Sequence, residues 1–346
     1  MTELNLREVY KGLLSRFEFD AISTELLSRV IAGSDKSEDY ENILKKDKFF
    51  TETICRQAAA TMKHQVPTSI SHAVVVVGQQ KVRNMVLSHS LQRFFDPFAD
   101  NSFVDIADAE KKLKYTLKAE EHANKCRNEY PGLAYASGFI FDFFSNWISR
   151  LDKDKELLQS FLESVWRHSL KTATMAWVLS THPRILISHR KIIFSSGILH
   201  DVGKLGLALY QTPEYKKCIE RFKSLQEDNL TDDSYEVSVE REFFDLTHCE
   251  IGSALLFQTK ILRDLETEVD FHHDSIVLRT RNPDAFLGTV ILNIADRLAW
   301  LMERKPKFTQ EDLQEILKPH ESYFPLKSSD VMQLAAEARS KSLLGG

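Results

Sequence analysis

Residues 197–204 read GILHDVGK, which sets His200 and Asp201 side by side with Lys204 three positions on. Similar donors recur around them: His168 in VWRHSLKTA, His248 in THCEIG, His272 and His273 in DFHHD, and Asp296 in LNIADRLAW. Five histidines and two aspartates in apolar helical settings can supply two hard-to-borderline divalent cations with nitrogen and oxygen ligands. Adjacency suits a two-metal site, because a carboxylate can bridge two cations while an imidazole binds one. Lys204 falls on the same helix face as Asp201, where its charge would meet a substrate phosphate or simply face solvent. Asp296 lies among Ile291, Leu292, Ile294, Ala295 and Leu298, so a metal or a partner such as Arg297 must answer its desolvation. Glu250 and Asp245 are candidate acid/base groups or anchors for a metal-bound imidazole. Cys249 adjoins His248, but helix neighbours point about 100° apart, so it is not expected to be a ligand. The alternative to a metal is a hydrogen-bonded polar core, which must keep seven buried groups paired.

The order H…HD…H…HH…D resembles the HD superfamily of metal-dependent phosphohydrolases. WRHSLKTATMA, FSSGILHDVGKLGLAL, VEREFFDLTHCEIGSALL, VDFHHDS and ILNIADRLA resemble one branch, the HDOD proteins, HD-related output domains of bacterial signalling. SISHAVVVVGQQKVRNMVL is similar to the helical lobe that precedes the HDOD core. The resemblance implies metal ligation by His168, His200, Asp201, His248, His272, His273 and Asp296, with Asp201 and Lys204 as the catalytic candidates. It implies two divalent transition-metal ions, whether iron, manganese, zinc or nickel. A regulatory or docking output follows as the first expected function, with a signalling partner acting in trans. A dinuclear phosphohydrolase acting on a nucleotide or cyclic dinucleotide is the alternative. In the related HD-GYP proteins, which cleave cyclic di-GMP, the HH pair precedes an acid and a GYP loop. Here HHDSIVLRTRNPD keeps Asp274 but lacks GYP, and Ser164 stands where some of those enzymes carry a further acidic ligand.

These groups call for helices to position them. Leu, Val, Ile and Phe recur at three- and four-residue spacing in LREVYKGLLSRF and TELLSRVIAG, with Ser23 or Thr24 as a cap and Gly33 as a stop. AVVVVGQQKVRNMVL reads as helix overall because Val82, Met85 and Val86 keep helical spacing. LLQSFLESVWRHSLKTATMAWVLS forms one long helix or two, and IIFSSGILHDVGKLGLALY an apolar helix with His200 and Asp201 at its heart. Thr247 with Glu250, and Thr309 with Asp312, have capping-box spacing. Residues 211–240, including Asp228, Asn229, Asp232 and Asp233, read as a solvated connection without pocket chemistry. His64, His72 and His89 read as surface or core histidines. LKYTLKAEEHANKC followed by LAYASGFIFDFF resembles the later WRHSLKTATMAWVL and IIFSSGILHDVG, with Tyr115, Phe141 and Asp142 against His168, His200 and Asp201. A degenerate duplication and a chance likeness of two helical hairpins both account for it, and Phe141, Phe143 and Phe144 are packing residues on either reading.

The expected fold is all-α, an HD-domain-like bundle. Residues 1–105 would form an N-terminal lobe, 106–307 the core and 308–346 a helical tail, with the acidic, Pro97-containing stretch 96–110 between the first two. Composition agrees: 346 residues suffice for one large or two modest domains, and 12 Gly and 9 Pro disfavour a turn-rich β fold. A net charge of −5 excludes the electrostatic footprint of a nucleic-acid binder. Cys55, Cys126, Cys218 and Cys249 form no CxxC pair, which fits a reducing cytoplasm. No membrane span or signal peptide is expected.

Overall fold

A computed structural model describes residues 20–33, 36–62, 65–95, 106–187, 190–225, 234–259, 262–305, 307–341 and 343–344. The helix expected within residues 6–17, His64, the 96–105 stretch, and Asp228, Asn229, Asp232 and Asp233 lie outside them. The described residues are all-α, as the residue spacing predicts. They divide into two compact units whose segments interleave along the chain.

The first unit comprises the described residues within 20–120 and 130–150. It holds α1 (Ala21–Ile31), α2 (Ser37–Leu44), α3 (Lys48–Thr61), α4 (Ile70–Val77), α5 (Gln79–Phe95), α6 (Ile106–Lys112), the first half of α7 (Lys114–Lys125) and α8 (Pro131–Ser149). The helices over 106–150 thus group largely with the N-terminal helices. Asp20 caps α1, its carboxylate accepting from the backbone N–H groups of Ile22 and Ser23, so Ser23 and Thr24 sit inside the helix. Gly33 ends the helix at a φ of 67°. The valine run is helical, but Gly78 at a φ of 92° breaks it into α4 and α5. His89 is buried and stacks on Phe49 at 4.3 Å, a core histidine. Phe141, Phe143 and Phe144 are buried as packing.

Asp142 caps α7 from α8, accepting from the N–H of Tyr115 at 2.9 Å and of Thr116 at 2.8 Å. Burial pushes its carboxyl up to about 7, partly offset by those donors and the Thr116 hydroxyl. The likeness to the later hairpin is inexact in space. A Cβ on Gly138 would strike the Tyr115–Thr116 backbone, whereas one on Gly197 would strike Ala173, about one turn further along in the matched phrase.

The second unit comprises residues 121–129 and 151–344 of the described chain. Its axis is α9 (Lys155–Ser180), a single 26-residue helix. Next come α10 (Arg190–Leu199), α11 (Val202–Tyr210), α12 (Thr212–Leu225), α13 (Tyr235–Phe244), α14 (His248–Thr259), α15 (Glu266–Asp270), α16 (Leu278–Arg281), α17 (Pro283–Arg304), α18 (Gln310–Leu317) and α19 (Ser328–Ser340). Helices α10 and α17 pack on α9, and α14 packs on α11. Both expected capping boxes form, at Thr247–Glu250 and Thr309–Asp312.

Three expectations for this unit are overturned. The apolar helix over 192–210 is broken: α10 stops at Leu199, and Asp201 takes φ −98° and ψ 5° before α11 begins. Residues 212–225 and 235–240 are helical, with Tyr215, Cys218, Phe222, Glu236 and Glu240 buried. The apolar residues of α12 do recur at three- and four-residue spacing, masked by the charges between them. Contrary to the sequence reading, Arg190–Tyr210 and Pro283–Arg304 are long and apolar enough to cross a membrane. Their most apolar windows are 94% and 83% buried against the rest of the protein.

Candidate metal centre

Five elements of the second unit bring the seven predicted residues to one place. Mid-helix positions on α9 and α17 carry His168 and Asp296, and the α10–α11 break carries His200 and Asp201. His248 opens α14, and His272 and His273 occupy the turn after α15. The break at 200–201 turns two adjacent side chains toward a common centre, which an unbroken helix would splay by about 100°.

One side of the cluster joins His168, His200, Asp201 and Asp296. The Nε2 atoms of His168 and His200 lie 2.7 and 3.2 Å from Asp296 Oδ1, and 4.0 and 3.6 Å from Asp201 Oδ2. The other side joins the histidines downstream. His248 Nε2 lies 3.3 Å from His272 Nε2, 3.2 Å from His273 Nε2 and 3.4 Å from Asp201 Oδ1. Asp201 therefore turns one oxygen to each side.

The outer nitrogens of these rings are held from behind. His200 Nδ1 donates to the Gly197 carbonyl at 2.9 Å, and His272 Nδ1 to the Val269 carbonyl at 2.6 Å. His248 Nδ1 donates to Glu240 Oε2 at 2.7 Å, and His168 Nδ1 faces Glu303 Oε2 at 3.5 Å. An imidazole that donates through Nδ1 presents a lone pair at Nε2. The lone pairs of His248 and His272, facing each other at 3.3 Å, repel unless a cation or proton lies between them. Asp201 Oδ1 and Asp296 Oδ2 are buried carboxylate oxygens without a hydrogen-bond partner, a costly state that a cation relieves. The donor set and these two oxygens fit divalent metal ions.

The electrostatics follow from burial set against close partners. Burial opposes ionisation of Asp201, but Lys204, then His200 and His248, hold its carboxyl well below the usual range. Asp296 is held low against burial in the same way by His200 and His168. Burial opposes charge on His168, yet Asp296 and Glu303 raise it well above an ordinary histidine. Burial and His248 push His273 down to about 3.

Lys204 is buried, its Nζ 2.9 Å from Asp201 Oδ2 and 2.7 Å from Glu236 Oε2. A cavity of about 320 Å³ reaches His168, Asp201 and Lys204, and is lined further by Phe161, Tyr215, Phe222, Tyr235 and Trp300. Ser164 also lines it, and Asp274 is exposed.

Glu236, Glu240 and Glu303 are the groups that sequence reasoning missed. Glu250 and Asp245, offered for such roles, are engaged elsewhere. Glu250 caps Thr247 and meets Arg241 at 2.9 Å, while Asp245 ends α13 in the left-handed region with its carbonyl accepting from Arg241. Arg297 donates to the Ile316 carbonyl, and Asp296 faces histidines instead. Glu240 stands eight residues before His248 across a helix break, a spacing with no local signature.

Comparison with known proteins accords with this arrangement. The HDOD domain family model matches residues 143–275, a stretch that contains every candidate ligand except Asp296. Among curated proteins no relative matches. An HDOD domain protein of unknown function from Geobacter sulfurreducens is 13% identical over 98% of both chains, with a TM-score of 0.46. A Shewanella amazonensis protein provisionally named a phosphohydrolase is 14% identical over 96% of both, with a TM-score of 0.49. The MmoQ response regulator of Methylococcus capsulatus is 17% identical over 92% of this chain and 96% of its own, at 0.36. The H…HD…H…HH…D set is thus gathered at one point, and the stretch 143–275 that carries all of it but Asp296 is similar to the HDOD domain family.

Proposed function

We propose that this chain is a regulatory HDOD protein whose core holds two divalent transition-metal ions and whose output acts in trans on a signalling partner. The convergence of imidazole Nε2 atoms beside two buried carboxylates, each with one oxygen lacking a hydrogen-bond partner, carries the metal part of the reading. His168, His200 and Asp296 would hold one ion, and His248, His272 and His273 the other, with Asp201 between them. The chain's own groups prepare that centre: Glu240 and the carbonyls of Gly197 and Val269 orient three rings, and Lys204 balances the charge of Asp201. Two observations favour an output without turnover. Lys204, the cation best placed for a substrate phosphate, is clamped between two carboxylates, and the GYP element is missing.

The cavity that reaches His168 and Asp201 favours a second reading, a phosphohydrolase for a nucleotide or cyclic dinucleotide. Bound divalent ions would supply an acidified water and polarise a phosphoryl oxygen. In that case the five aromatic side chains of the cavity would hold the organic part of the substrate.

Elemental analysis of the purified, metal-reconstituted chain should find two ions per molecule, and His200→Ala or Asp201→Ala should lose them. An ion-free wild-type protein after reconstitution would sink both readings. Retained ions without hydrolysis of cyclic dinucleotides, nucleotides or simple phosphodiesters support the regulatory output, and turnover of any of them would replace it with the enzyme.

A further inference from the structure

The sulfur of Cys249 belongs to the same cluster. Cys249 Sγ lies 3.6 Å from His248 Nε2, although the two residues are neighbours at the start of α14. An imidazole is long enough to swing its far nitrogen back over the adjacent side chain, which a comparison of Cα–Cβ directions ignores. Donor atoms of Cys249, His248, His272 and His273 all lie within 4.8 Å of one another. His248 and Cys249 are buried, and so is His272.

The spacing of these donors suits a shared ion. With metal–nitrogen bonds near 2.05 Å and metal–sulfur near 2.3 Å, a regular tetrahedron has nitrogen–nitrogen edges of about 3.3 Å and nitrogen–sulfur edges of about 3.6 Å. The observed edges are 3.3 Å for His248–His272, 3.2 Å for His248–His273 and 3.6 Å for His248–Cys249. Hydrogen bonding can join His273 to His248, but it does not account for the His248–His272 contact between neutral rings, because both donate outward through Nδ1.

The geometry points to Cys249 as a thiolate ligand that joins His248, His272 and His273 around the downstream ion. This rests on the metal-holding reading above and adds to it the identity of a donor. The thiol releases its proton to solvent on binding. A thiolate favours zinc or iron over manganese or magnesium.

Cobalt(II) loading of the metal-free full-length chain tests this directly. The expected result is two cobalt ions per chain and a thiolate-to-cobalt charge-transfer band in the near ultraviolet. Cys249→Ser should lose the band, while Cys126→Ser and Cys218→Ser keep it. Two bound cobalt ions without the band, or a band that survives Cys249→Ser, overturns the thiolate assignment and leaves the metal centre standing. Failure to bind cobalt at all overturns both. Should Cys249→Ser not fold, X-ray absorption on the zinc-loaded wild type decides, with a sulfur scatterer at about 2.3 Å expected and a shell of only nitrogen and oxygen contradicting it.

Discussion

At the scale of single residues, the proposed centre depends on side chains that stand behind its ligands. Glu240 is fully buried, and its carboxylate accepts from both the backbone N–H and the Nδ1 of His248, each within 2.8 Å. It thereby fixes the tautomer and ring direction that leave Nε2 free to ligate. Glu240→Gln keeps the shape but removes the charge and one acceptor oxygen. Metal affinity should fall roughly 10- to 100-fold with helical content unchanged, as read by competition with a chromogenic chelator. Unaltered affinity would show that His248 needs no such anchor. The histidines and aspartates themselves were legible, because these types are seldom left buried without a purpose. Glu240 and Glu303 were not, since a glutamate in an amphipathic helix ordinarily faces water.

At the scale of elements, two close crossings set the positions of the ligands. A Cβ on Gly203 would lie 1.9 Å from the His248 carbonyl oxygen, so α11 reaches α14 only because that residue is glycine. Gly203→Ala must push the helices apart at the residue that begins the downstream side of the centre. A stability loss of at least about 2 kcal/mol is expected, together with weakened metal binding. Gly288, inside α17, has nothing within 4 Å of its would-be Cβ. Gly288→Ala should therefore stabilise the chain by about 0.5–1 kcal/mol. Urea denaturation of the two variants side by side checks both signs. The helices were readable from spacing and caps. The interruption at His200–Asp201 was not, because nothing in IIFSSGILHDVGKLGLALY departs from a good apolar helix.

For the molecule as a whole, stability should depend on acid through histidines outside the centre. His122 and His320 are both pushed down to about 4, by burial first and then by Lys125 and Arg297 respectively. Between the ordinary histidine value of 6.5 and about 4, the unfolded chain binds protons at these positions that the folded chain refuses. Stability is thus fully present above pH 6.5 and is lost as pH falls toward 4. The loss should be on the order of 2 kcal/mol for each ring once solvent screening is allowed for. His122→Gln and His320→Gln should each flatten that acid limb relative to wild type, measured as denaturant midpoints from pH 7 to 4. The ligand histidines are common to all three proteins and cancel in the difference. A limb as steep as wild type in both variants would place the acid sensitivity elsewhere.

The amino-acid sequence by itself determined the helical class, the caps at Thr247 and Thr309, and the kinds of donor at the centre. All of these rest on residue type and on interactions within about four positions. Only the tertiary structure decided which groups stand behind the donors, that Lys204 is clamped by Glu236, and that the sulfur of Cys249 comes within 3.6 Å of an imidazole nitrogen. His168 meets Asp296 across 128 residues of chain. Pairings at that range are set by how helices cross and where they break, and local spacing carries no record of either.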